Sequence, residues 1–117
     1  MNPPYLFYRN SSYQFYTEVE IILCYYVARF DNQISIQDII TISMRPNASI
    51  TFKIRNIISM LIRNNFGYNI SFTAINGMHQ GDPQRQTNWD TIQDYLDFPQ
   101  NVLLEHCHQI INNPTYI

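Results

Sequence analysis

The sequence predicts a mainly α domain: a three-helix core, two further C-terminal helices, and an irregular or short extended segment at about 66–85. Three observations predict it. Thr17 and Glu20 have the spacing of a capping box, and Ser35 with Asp38 repeats it. Ile50, Ile54, Ile57, Ile58 and Leu61 recur on one helical stripe. The three glycines, Gly67, Gly77 and Gly81, fall in the stretch that lacks such periodicity.

Residues 1–16 read as an aromatic-rich arm, because Pro3, Pro4 and the polar Arg9–Ser12 stretch oppose a regular helix. A first helix starts near Thr17, flanked by the staple pair Tyr16 and Ile21. Ile22, Leu23, Tyr26, Val27 and Phe30 follow helical spacing, and the helix is expected to end near Asp31 and Asn32. A second helix runs from Ile36 to about Met44, with Ile34 and Ile39 as its staple. Its β-branched run leaves a strand open by propensity, but the cap signals favour a helix.

Pro46 stops that segment, and Asn47 or Ser49 is expected to cap a third helix reaching about Asn64. Phe52, Arg55, Asn56, Ser59 and Arg63 fall on or near the face opposite its apolar stripe, with Lys53 at the flank. Tyr68, Ile70, Phe72 and Ala74 alternate with polar residues, which leaves 68–75 open to an extended run within the irregular part, followed by turn signals at Asn76-Gly77 and Gly81-Asp82-Pro83 but no second clear strand. A fourth helix opens at Thr87 or Asn88 and buries Trp89, Ile92 and Leu96. Pro99 suits the first turn of a fifth, which buries Leu103, Cys107, Ile110 and Ile111 and ends at Asn112-Asn113-Pro114.

The chain of 117 residues fits one domain, 1–117: the arm at 1–16, the core at 17–64, the irregular segment at 65–86 and the last helices at 87–113. No run approaches the roughly 18 apolar residues of a membrane span. Met1–Tyr8 has no basic region ahead of its apolar residues and does not read as a secretory signal. An intracellular location is therefore expected, nuclear if the source is eukaryotic. Cys24 and Cys107 both lie in predicted helices among apolar neighbours and read as buried thiols, with a bridge between them left open. Asn-x-Ser triplets at Asn10, Asn47 and Asn69 read as chance in so Asn-rich a chain.

Charge is segregated along the chain. Residues 39–81 carry Arg45, Lys53, Arg55 and Arg63 with no acid, while residues 82–117 carry Arg85 against Asp82, Asp90, Asp94, Asp97 and Glu105. The basic block coincides with the third helix. Such a face can neutralise phosphates, Arg and Asn can read base edges, and Phe52 can meet a thymine methyl. The candidate nucleic-acid contacts are Arg45, Ser49, Phe52, Lys53, Arg55, Asn56 and Arg63. A pI of 5.8 and only four cations weigh toward a solvated helix face instead.

Tyr16–Leu23, Ile36–Ile42 and Arg45–Ile57 carry a resemblance. An aromatic–Thr–x–x–Glu opening, a short second helix and a third helix containing Lys53 and Asn56 resemble the tri-helical Myb/SANT class, a helix-turn-helix variant. The arrangement is also loosely similar to the region preceding some HNH endonuclease domains. It covers roughly residues 15–97. Spaced core tryptophans of Myb repeats are replaced by Tyr or Ile, and the single tryptophan is Trp89. The resemblance implies a recognition helix at the third position and duplex DNA as partner. Many SANT-like domains bind proteins instead, so a protein partner or homo-oligomer is the alternative.

No catalytic site is expected, and no metal or cofactor. Glu105-His106-Cys107-His108 has metal-capable side chains, but consecutive helical residues diverge by about 100° and do not close on one ion. Asp90, Asp94 and Asp97 read as the solvated face of the fourth helix. The glycines match no phosphate-binding loop.

Overall fold

A computed structural model describes residues 16–74 and 88–113. Among the described residues there are five helices: α1 Glu18–Arg29, α2 Ile36–Ser43, α3 Asn47–Arg63, α4 Trp89–Gln93 and α5 Gln100–Asn112. Among the described residues there is no strand. The N-terminal arm up to residue 15, the turns at 76–83 and Arg85 lie outside the described residues.

α1 starts where the capping box places it. The Thr17 backbone N–H donates to Glu20 Oε1 at 2.8 Å, and Glu20 N–H donates to Thr17 Oγ1 at 3.2 Å. From Glu20 to Ala28 nine consecutive residues are buried. A helix apolar on every side belongs at the centre of its domain, and α1 packs against all four other helices. The stripe read from the sequence is therefore wider than expected. Cys24, Tyr25 and Ala28 are the buried additions to it, and both tyrosines engage a polar partner through the hydroxyl: Tyr25 accepts from Arg29, and Tyr26 donates to Asp31 Oδ1 at 2.9 Å.

The C-terminal carbonyls of α1 are satisfied from a distance. Asn69 donates its side-chain amide to Val27 O at 2.9 Å and its backbone N–H to Ala28 O at 2.8 Å. Its side chain is buried, so this Asn-x-Ser triplet presents no accessible amide. The segment after α3, open between an irregular and a short extended reading, is irregular and turn-rich over the described residues to 74. Ile70 is 87% exposed while Phe72 and Ala74 pack on the core, so the alternation has no second strand to serve.

α2 opens on Ser35, whose Oγ accepts from Asp38 N–H at 3.0 Å. It ends on Met44, a left-handed residue at φ 59°. α3 begins one residue before either expected cap takes effect. Pro46 is the N-cap, with extended backbone and no capping side chain. The two nominated caps are engaged elsewhere: Ser49 with Tyr16, and Asn47 Oδ1 with the Thr51 hydroxyl at 3.3 Å. α3 buries Ile50, Ile54, Ile57, Ile58 and Leu61 as predicted. α4 is only five residues long, opening after a left-handed Asn88. Ile92 is buried; Trp89 and Leu96, the latter already in the following turn, are half-buried on the core. Pro99 is the residue just before α5 rather than inside its first turn. Leu103, Cys107 and Ile110 seat α5, with Ile111 at the margin.

Candidate binding face on the third helix

Seven residues were nominated by the sequence as contacts, and the fold divides them between its interior and its surface. Arg45 sits in the three-residue connector between α2 and α3. Its Nε and Nη2 donate to Glu20 Oε2 at 2.9 Å and Oε1 at 3.1 Å, a two-point ion pair. Its guanidinium also lies 3.9 Å from the centroid of the Tyr16 ring. Ser49 is turned to the same place, with Oγ 2.7 Å from the Tyr16 hydroxyl. Lys53 follows one turn later and is 7% exposed. Its Nζ donates to Asn88 Oδ1, and burial pulls its pKa down to about 8.

Tyr16, Glu20, Arg45, Ser49 and Lys53 thus form a polar seam where α1 meets the start of α3. It is a structural seam: each charged or polar group faces another within the protein. Sequence reading gave Glu20 its capping role and missed the second one, in which the same carboxylate neutralises Arg45. The signal was present: a carboxylate inside the run from Val19 to Ala28 requires a cation, and the acid-free block beginning at Arg45 supplies it.

Asn56 and Ser59 were placed on or near the outer face and are instead buried. The reason lies in the chain after α3. Arg55 Nε donates to Thr73 O at 3.0 Å, which brings the turns following α3 against that side of the helix. Among the nominated residues, Phe52, Arg55 and Arg63 reach the surface. Phe52 is 52% exposed, Arg55 half-buried and Arg63 exposed. Ile62, 43% exposed, lies near Arg55 on the same arc, and Asn47, Ala48 and Thr51 border it toward the N-terminus.

The other outward-facing cluster has the opposite sign. Asp90, Asp94, Asp97 and Glu105 are all exposed, with Phe98 and Val102 exposed among them. Asp94 and Asp97 lie in the turns after α4 rather than on a longer helix.

The thiols offer no nucleophile at neutral pH. Cys24 and Cys107 are free and buried, and burial pushes both up to about 12. Among the described residues no three His, Cys, Asp or Glu side chains gather as metal ligands. No helix of the described chain is long and apolar enough to cross a membrane. No family model, curated protein or solved structure matches the chain.

Proposed function

We propose that this domain is a non-catalytic protein-binding module, with the outer face of α3 as its docking surface. The observation that carries the reading is the partition of the nominated cations. Arg45 and Lys53 are turned to the interior, while Arg55 and Arg63 lie on the outer arc of α3 with the exposed apolar groups Phe52 and Ile62. Apolar anchors rimmed by arginine are the composition of a protein interface. The partner that fits is an acidic surface with apolar groups of its own.

Duplex DNA is the second reading, in line with the Myb/SANT-like resemblance. One feature favours it: α3 follows α2 through a three-residue connector and leaves Asn47, Ala48 and Phe52 exposed at its N-terminal half. The charge on the described outer face of α3 supports the protein-binding reading over this one. Arg55 and Arg63, the cations on the described outer face of α3, neutralise about two phosphates at most, which supports a log–log salt slope of about 2 from that face. Tight duplex binders make about 6–10 such contacts.

Fluorescence anisotropy separates the readings. The protein is titrated against a labelled acidic amphipathic peptide, with Asp and Glu around Phe and Leu at helical spacing, and against a labelled random duplex. The protein-binding reading expects the peptide to bind more tightly and Phe52→Asp to abolish that binding. Tighter binding of duplex, with a salt slope beyond about 4, would overturn it in favour of DNA.

A further inference from the structure

The geometry points to a second copy of this chain as the acidic partner: the α4–α5 side of one molecule docks on the α3 face of the next. This inference rests on the protein-binding reading of α3 and names its ligand.

The two faces are complementary in kind and in sign. Residues 39–81 contain four cations and no acid, and residues 88–113 contain four acids and no Lys or Arg. On α3 the exposed apolar groups are Phe52 and Ile62, with Arg55 beside them. On the other face they are Phe98, 39% exposed, and Val102, 48% exposed; the exposed Asp97 precedes Phe98 in the chain, and the exposed Glu105 is one helical turn from Val102. Val102 and Glu105 stand three apart in α5 and share one side of it. An apolar centre with an acidic rim thus exists on the same molecule as an apolar centre with a basic rim.

Placement prevents the two from meeting within one molecule. α3 and α5 each pack on α1, and their buried residues include Ile50, Ile54 and Leu61 on α3 and Leu103, Cys107 and Ile110 on α5. Their exposed faces are the ones turned away from that shared core. The contact between copies is therefore heterologous, with different patches on the two molecules, and it builds chains or a ring rather than a two-fold dimer. Its apolar groups are about half exposed in the free chain, which places it in the weak, transient class of interfaces. Its charge component fades with salt.

Sedimentation velocity on Phe52→Asp, Val102→Asp and their equimolar mixture tests the assignment. Each substitution sits at an exposed position and kills one face, and a dead pair places Asp against Asp. The wild-type protein is expected to gain mass with concentration at about 50 mM salt and to lose most of that gain at about 500 mM. Each variant alone is expected to stay monomeric. Their mixture is expected to form a capped 1:1 dimer, through the live α3 of one and the live α5 of the other. Unchanged urea midpoints show that both variants fold. Arg55→Glu and Glu105→Arg, each weakening association and together restoring it in one chain, give the same answer by charge alone. A wild-type monomer at about 1 mM overturns the inference. So does a Val102→Asp variant that still associates, or a mixture that stays monomeric. If the acidic peptide still binds Phe52's face in any of these cases, α3 remains a docking surface and only the second copy is wrong. If it does not, the protein-binding reading fails as well.

Discussion

Arg45 and Arg55 look alike in the sequence, ten residues apart in one acid-free block, and the fold gives them different tasks. Arg45 closes on Glu20, which is 3% exposed, so removing it strands a buried carboxylate. Arg45→Ala is expected to lower stability by about 3 kcal/mol, whereas Arg55→Ala stays within about 0.5 kcal/mol. Urea midpoints of the two variants measure the difference. Lys53 carries a pH signature. Burial, with Arg45's charge adding to it, holds its folded pKa at about 8 against an ordinary value of 10.5. Between these values the unfolded chain binds more protons, so stability rises with pH from about 8. The thiols act in the other direction. Cys24 and Cys107 ionise near 9 when unfolded but near 12 when folded, so stability falls above pH 9. The wild type is expected to gain stability from about pH 8 to 9 and then turn over, while Lys53→Met loses the rise and keeps the fall. A pH series of urea midpoints that is flat from 8 to 9 in the wild type contradicts the buried, charged Lys53.

At the scale of elements, local chemistry was legible wherever a side chain serves its own helix. Thr17 and Ser35 cap α1 and α2 as their spacing predicts, and Thr17→Ala is expected to cost about 1 kcal/mol. The α3 stripe of Ile50, Ile54, Ile57, Ile58 and Leu61 is equally local. What the sequence did not show is set by long-range partners. Ser49 leaves its cap position because the Tyr16 hydroxyl arrives from 33 residues away. Asn56 and Ser59 appear outward on a helical projection, and the chain after α3 covers that side through Arg55 and Thr73. The Tyr68–Ala74 alternation left a short strand open beside an irregular path, and with no partner strand among the described residues the irregular path is the one taken. Met44 shows a different limit: its left-handed backbone favours glycine, yet its side chain is 86% exposed and packs on little. Met44→Gly is therefore expected to raise stability by about 0.5–1 kcal/mol, read as a higher thermal midpoint.

At the scale of the molecule, α1 is the axis and function is pushed to its flanks. A helix buried from Glu20 to Ala28 has little surface to offer, so the outward faces among the described residues belong to the helices around it, α2, α3 and the α4–α5 side. The basic block read from the sequence is real as a count and misleading as a surface, because half of its charge is spent inside. The acidic block is the reverse: its four carboxylates in residues 88–113 are all exposed. That asymmetry, invisible in a net charge of −2, is the ground for both the docking surface proposed on α3 and the proposed head-to-tail contact.

The most direct test is a map of backbone amide shifts as the acidic amphipathic peptide is added to isotope-labelled protein, with random duplex in a parallel titration. The account predicts peptide-induced shifts concentrated at Thr51, Phe52, Arg55, Ile62 and Arg63, with α1 unmoved and duplex producing weaker changes that vanish at moderate salt. Shifts driven by duplex and spread over α3 at moderate salt, with none from the peptide, would contradict it.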